Sequence, residues 1–74
     1  MSQLPSLTGQ EMIRVLKKQG FNVARIKGSH QILIHPDGRR TVVPVHAGET
    51  IGSGLVLQIL RDCQITKPEF KELL

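Results

Sequence analysis

Three histidines, at positions 30, 35 and 46, are the side chains in this 74-residue sequence best suited to moving a proton. An imidazole exchanges protons near neutral pH, so one held beside cations can serve a phosphodiester as general acid or base. His30 follows Gly28-Ser29, with Arg25 and Lys27 close by in sequence. Strand alternation groups it with Ile32 and Ile34, the set expected to face the core, so a histidine tucked at the core rim is the plain reading. The flexible Gly-Ser turn and the neighbouring cations support a functional one. His35 falls on the opposite alternation face and reads as a surface residue. His46 stands at the mouth of a glycine-rich loop. If the two strands between His30 and His46 pair, both lie at the same end of the sheet and form a conceivable acid–base pair. Ser29 has no Gly-x-Ser-x-Gly elbow around it and reads as a turn residue or a hydrogen-bond donor to phosphate. No helical His-x-x-x-His pair occurs, and catalytic zinc takes three protein ligands, so no metal site is expected. Cys63, the single cysteine, has no partner for an internal disulfide and reads as a small buried apolar residue.

The elements that position these groups are legible from capping and periodicity. Thr8-Gly9-Gln10-Glu11 is a capping box. After it, Met12, Ile13, Val15 and Leu16 share one helical side while Arg14, Lys17 and Lys18 take the other, and Gly20 supplies a terminator. Residues 21–26, 30–35 and 40–45 read as strands, the last two joined by the tight turn Pro36-Asp37-Gly38-Arg39. Pro44 cannot donate to a ladder and belongs at a sheet edge or strand end. Residues 46–54 form a loop with three glycines. Ser53 is the expected cap of a second helix with Leu55, Val56, Ile59, Leu60 and Cys63 on one face and Leu57 off it. Thr66-Lys67-Pro68-Glu69 is a second capping box, opening a short terminal helix whose apolar side holds Phe70, Leu73 and Leu74. The expected fold is α+β, a single domain over residues 1–74. A three-stranded antiparallel sheet carries two helices on one face, in the order α-β-β-β-α, with a short C-terminal helix. Double-stranded-RNA-binding domains share that order, and they read A-form shape and phosphates more than base sequence.

Composition narrows the function classes. At 8.2 kDa, with 39% hydrophobic and 22% charged residues, the chain is globular and too small for a large catalytic architecture. No apolar run approaches a membrane span, the opening MSQLPSLTGQ has no secretory apolar core, and the single cysteine suits a reducing compartment, so a soluble cytoplasmic protein is expected. Residues 1–45 carry a net charge of +5 and residues 46–74 a net charge of −1, an asymmetry suited to a polyanion. Trp and Tyr are absent, and Phe21 and Phe70 are both core candidates, so no ring is spare for stacking single-stranded bases. Phosphate and shape contacts from the basic helix and loops remain. A non-catalytic RNA-binding module with a structural His30 satisfies these observations, as does a nuclease. A pure protein-interaction domain leaves the basic half unexplained.

Arg25-Ile26-Lys27-Gly28-Ser29-His30, then Val43-Pro44-Val45-His46, Glu49, Gly54-Leu55 and Ile59-Leu60, in that order and spacing, resemble the HicA (YcfA-like) toxins. These are small ribonucleases that cut messenger RNA and are silenced by a HicB antitoxin. The resemblance runs from about Leu7 to Leu74 and implies a double-stranded-RNA-binding-domain fold, a catalytic role for His30 and cleavage without a metal cofactor. On that basis Arg25, Lys27 and Ser29, with Arg14, Lys17 and Lys18 of the first helix, are the expected phosphate and RNA contacts. His46 is the candidate second acid or base, and a HicB-type antitoxin is the expected partner covering the His30 surface. Two positions depart from the family pattern. Gln64 stands where many members have glycine after the second helix, and Gln31 where many have a second histidine.

Overall fold

The computed structural model describes residues 6–74. Thr8 opens the first helix through the expected capping box: its Oγ1 accepts from the Glu11 N–H at 3.1 Å and Glu11 Oε1 accepts from the Thr8 N–H at 2.9 Å. Both bonds satisfy amides that a helix start otherwise leaves unpaired. Helix α1 (Gly9–Lys18) buries Met12, Ile13, Val15 and Leu16 and ends at Gly20, whose φ of +95° is the left-handed conformation glycine adopts without strain. Strands β2 (Asn22–Lys27), β3 (His30–Ile34) and β4 (Arg40–Pro44) form an antiparallel sheet in the order β2-β3-β4. Helix α2 (Ser53–Cys63) and the short α3 (Lys67–Leu73) complete the α-β-β-β-α layout. The core lies between the sheet and the helices, where Leu33, Val43, Met12, Leu16, Phe21, Ile59, Cys63 and Phe70 are fully buried.

Two short strands go beyond the expected elements: β1 (Leu7–Thr8) pairs antiparallel with β5 (Thr50–Ile51). The pairing pins the far end of the loop that begins at His46 to the start of α1. Another correction concerns α2, whose cap is Gly52 rather than Ser53, with no side-chain bond to the helix amides. Ser53 is already helical, so its hydroxyl is one residue too late to cap. Val56, Ile59, Leu60 and Cys63 are buried as predicted, and Leu57 is exposed.

The far ends of the helices are fastened by the β3–β4 turn. Arg39 donates through Nε to Asp37 at 2.8 Å, through a terminal nitrogen to the Cys63 carbonyl, and lies 5.1 Å from the centre of the Phe21 ring. Thr41, buried in β4, donates to Asp62 of α2 at 2.9 Å. Helix α2 therefore runs with its C-terminus at the turn end of β4 and its N-terminus toward the Pro44 end.

Gln64 ends α2 at φ +56°, ψ +41°, the one non-glycine residue with positive φ among those described. The left-handed well costs an L-residue about 1–2 kcal/mol, partly offset against glycine's greater freedom in the unfolded chain. Gln64→Gly should therefore stabilise the fold by about 0.5–1 kcal/mol, read as a rise in the urea midpoint.

The capping boxes also make a pH prediction. Hydrogen bonds from the Thr8 backbone, then its side chain, hold the Glu11 carboxyl below its ordinary range, and Thr66 does the same for Glu69. A carboxyl whose folded pKa is depressed contributes stability above its unfolded pKa of about 4 and loses it as pH falls through the folded value. The urea midpoint should decline on acidification below that range, and a Glu11→Gln, Glu69→Gln double variant should flatten the decline.

Candidate active site

The β2–β3 hairpin turns through two residues, Gly28 and Ser29, with Gly28 at φ +60°. A glycine at the first central position is what a type II′ hairpin turn requires. The short turn fixes the register, so that Lys27 lies opposite His30, Ile26 opposite Gln31, and Arg25 opposite Ile32. Across the other edge of β3, His30 faces Pro44, Ile32 faces Val42 and Ile34 faces Arg40. Side chains directly opposite in a ladder point to the same face, with Cβ atoms about 4.5–5.5 Å apart.

Burial decides which face is which, and it reverses the expected assignment of β3. Leu33 is fully buried, together with its neighbours Thr41 and Val43 across and beside it in β4. The helix-facing set is therefore Gln31 and Leu33, and His30, Ile32 and Ile34 lie on the open face of the sheet. His30 is exposed and does not sit at the core rim. With it on the open face stand Lys27 directly across and Arg25 one pair along, both exposed. Among the described residues none hydrogen-bonds or ion-pairs with the side chains of His30, Lys27 or Arg25. The ion pair found among the described residues is Asp37 with Arg39, at the opposite end of β3. The result is an imidazole beside two unneutralised cations on a face open to a polyanion.

The other end of this arrangement comes from β4. Val45 donates its N–H to the Ser29 carbonyl at 2.6 Å, which extends the chain pairing one step past Pro44 and holds the Gly28–Ser29 turn against the start of the next loop. His46 follows immediately and is exposed. The Glu49 N–H donates to the His46 carbonyl at 3.0 Å, and Gly48 has φ +75°. That positive φ at the third residue of a four-residue turn is the type II pattern. His46 is thus presented on a tight turn tethered at both ends, at the His30 end of the sheet. Ser29 is half-buried with its carbonyl taken by Val45.

The first-helix cations occupy a different surface. Arg14 and Lys17 are exposed on the side of α1 facing away from its buried stripe, and hence away from the sheet. Lys18 donates to the Leu73 carbonyl at 3.1 Å, tying α1 to α3. The structure does not bring these three residues together with His30; the helix layer and the sheet stand between them.

His35 corrects its surface reading. Its ring is half-buried, with Nε2 3.1 Å from the Gln19 carbonyl and its edge toward Phe21 at a centroid distance of 5.1 Å. Because a carbonyl can only accept, Nε2 carries the proton, and Nδ1 accepts from the Asp37 N–H at 3.1 Å. The ring packs so closely on Gly20 that a methyl there would come within 2.9 Å of it. His35 is a structural clasp between α1 and the β3–β4 turn. The Cys63 thiol, fully buried, is pushed up to about 12 by that burial and then by Asp62, so it is no nucleophile at neutral pH.

Ile32 and Ile34, grouped with His30 by alternation but expected to face the core, share its open face, and Arg40 and Val42, not singled out from the sequence, join them there. Their signal was present in the two-residue turn: carrying its register across puts charged Arg25 and Lys27 opposite Ile32 and His30, and charge marks the solvent side. Among the described residues no three His, Cys, Asp or Glu side chains are grouped to hold a metal ion, and no helix is long and apolar enough to cross a membrane.

Comparison with known proteins identifies a family. Among curated proteins no match is found. A family model described as the HicA toxin of bacterial toxin–antitoxin systems matches residues 9–65, from the first residue of α1 to the one after the α2 cap. The match takes in the Gly28-Ser29-His30 turn and the His46 loop, and it covers well over half the sequence. The chain belongs to the HicA toxin family of bacterial toxin–antitoxin systems.

Proposed function

We propose that this toxin is an endoribonuclease that cuts messenger RNA without a metal cofactor, with His30 as its catalytic acid or base. The observation that carries the reading is the open sheet face, where an exposed imidazole stands directly across the ladder from Lys27 and one pair from Arg25, with no carboxylate among the described residues pairing with either. In the proposed reaction a ribose 2′-hydroxyl attacks the adjacent phosphorus. The O2′–P bond forms and the P–O5′ bond breaks. A base removes the 2′ proton, and an acid delivers a proton to the departing 5′ oxygen. His30 fills one of these roles and His46, on its tethered turn at the same end of the sheet, is the candidate for the other. Lys27 and Arg25 offset the charge that builds on the phosphorane-like transition state, and the Ser29 hydroxyl is a donor to a phosphate oxygen. Arg14, Lys17 and Lys18 form a separate basic surface for flanking RNA, with contacts to phosphate rather than to bases.

The partner follows from the family. A toxin–antitoxin system implies an antitoxin, and a HicB-type protein that covers His30 excludes RNA from it sterically. The rival reading, an RNA-binding module in which His30 is structural, is disfavoured by the exposure of that ring and its lack of hydrogen-bond partners among the described residues.

The test is to incubate the purified chain with labelled RNA, with and without excess EDTA, and to weigh the products. Cleavage that survives EDTA and leaves 2′,3′-cyclic phosphate or its 3′-phosphate hydrolysis product is expected. Loss of activity in EDTA removes the metal-free route, and 5′-phosphate products remove attack by the 2′-hydroxyl. RNA binding with no cleavage at any protein concentration favours the module.

A further inference from the structure

The open face has a second property that catalysis does not use. Between the cations at its two ends runs an aliphatic strip, Ile32, Ile34 and Val42, of which Ile34 and Val42 are each 39% exposed. Lys27 and His30 border it at the Gly28–Ser29 turn, Arg40 at the β3–β4 turn, and Arg25 flanks it beside Ile32. No aspartate or glutamate lies on β2, β3 or β4. Branched aliphatic side chains offer nothing to a phosphate backbone and, lacking a ring, are a poor platform for bases. They are the kind of contact that fills the centre of a protein–protein interface, with charge at the rim. A second copy of this chain would set like charges against each other at both ends of the strip.

We infer that Ile34 and Val42, with Ile32 across the ladder from Val42, form the docking strip for the antitoxin, which meets them with an apolar element flanked by carboxylates. The inference rests on the reading that antitoxin and RNA compete for the His30 face, and it deepens that reading. The two ligands share the cations, but only the antitoxin uses the strip. Neutralisation is therefore separable from catalysis at Ile34 and Val42, neither of which has a place in the proposed RNA chemistry.

The experiment uses the full chain and the purified antitoxin of its own toxin–antitoxin pair, with affinity measured by calorimetry and RNA cleavage by the free toxin measured alongside. An Ile34→Gln, Val42→Gln double variant should weaken antitoxin binding roughly 30-fold, the loss expected from two central apolar contacts. Its RNA cleavage rate should be unchanged. Ile34→Thr, which keeps a β-branched residue in the strand, should lose affinity in the same direction and provides the measurement if the double variant has a lowered urea midpoint. Leu57→Gln, an exposed apolar residue on α2, should bind as wild type. Unchanged antitoxin affinity in both strip variants overturns the inference. So does a parallel loss of antitoxin binding and RNA cleavage, which would make the strip a platform for RNA. If wild-type toxin cleaves no RNA while the strip variants still lose antitoxin, the ribonuclease reading fails and the docking strip stands.

Discussion

Replacing His30 with alanine is expected to lower the RNA cleavage rate about 10²- to 10⁴-fold, the range in which a positioned general acid or base contributes. Growth arrest on induced expression in a bacterium should disappear with it. The stability of the fold should barely change, because the ring is exposed and makes no hydrogen bond among the described residues. Substitutions at such surface positions usually stay within about 0.5 kcal/mol. That pairing of a large kinetic effect with an unmoved urea midpoint is what separates a catalytic from a structural histidine. His35→Ala provides the contrast: it removes the bond to Gln19 and the contact with Phe21, so its effect should appear in the midpoint first. A His30→Ala protein that arrests growth as wild type does removes His30 from the chemistry. One that unfolds easily returns it to the core.

The elements whose signals are local are legible in the order of residues alone. A Thr-x-x-Glu pattern carries its own hydrogen bonds, so both capping boxes, and the helices they open, lie in plain view at Thr8 and Thr66. The hairpin turns are legible for a similar reason: Gly28 and Gly38 sit where a left-handed residue is required. What alternation gets wrong is which side of β3 is buried: His30, Ile32 and Ile34 carry two branched aliphatics against the single Leu33 on the other side, yet it is Leu33 that is buried. The choice is made by β4, where Thr41 and Val43 turn inward, and by α1 and α2 covering that side. Strands β1 and β5 leave no trace in the sequence, since two residues have no period. The candidate site divides along the same line. His30, Arg25, Lys27 and Ser29 lie on or beside one turn and come from one local motif. The separation of Arg14, Lys17 and Lys18 from them depends on layer order, which charge counting does not contain.

One glycine connects the fold to the site more tightly than any capping residue. Gly9, the first residue of α1, is buried against the end of β4. A side chain there would drive its first carbon into the carbonyl oxygen of Pro44 and within 3.1 Å of the Val45 Cα. Both obstacles are backbone, so no rotamer relieves the clash. The helix must lift or the strand end must bend. Pro44 is the ladder partner of His30, and Val45 holds the Ser29 carbonyl. Displacing that strand end therefore loosens the turn that carries the catalytic candidate. Gly9→Ala should destabilise the protein by about 1–3 kcal/mol, the usual cost of forcing a methyl into packed surroundings, and should also lower cleavage under conditions where the variant is still folded. Gly54→Ala in the first turn of α2 is the matched control. No atom lies within 4 Å of the added methyl and its φ is not left-handed, so alanine's helix preference should raise stability by up to about 1 kcal/mol. Opposite shifts in the urea midpoint for two glycine-to-alanine changes at helix starts would locate the effect in the Pro44 contact. Equal shifts would mean that α1 can lift off β4 without consequence, and that the His30 turn is held by the Val45–Ser29 bond and its own register alone.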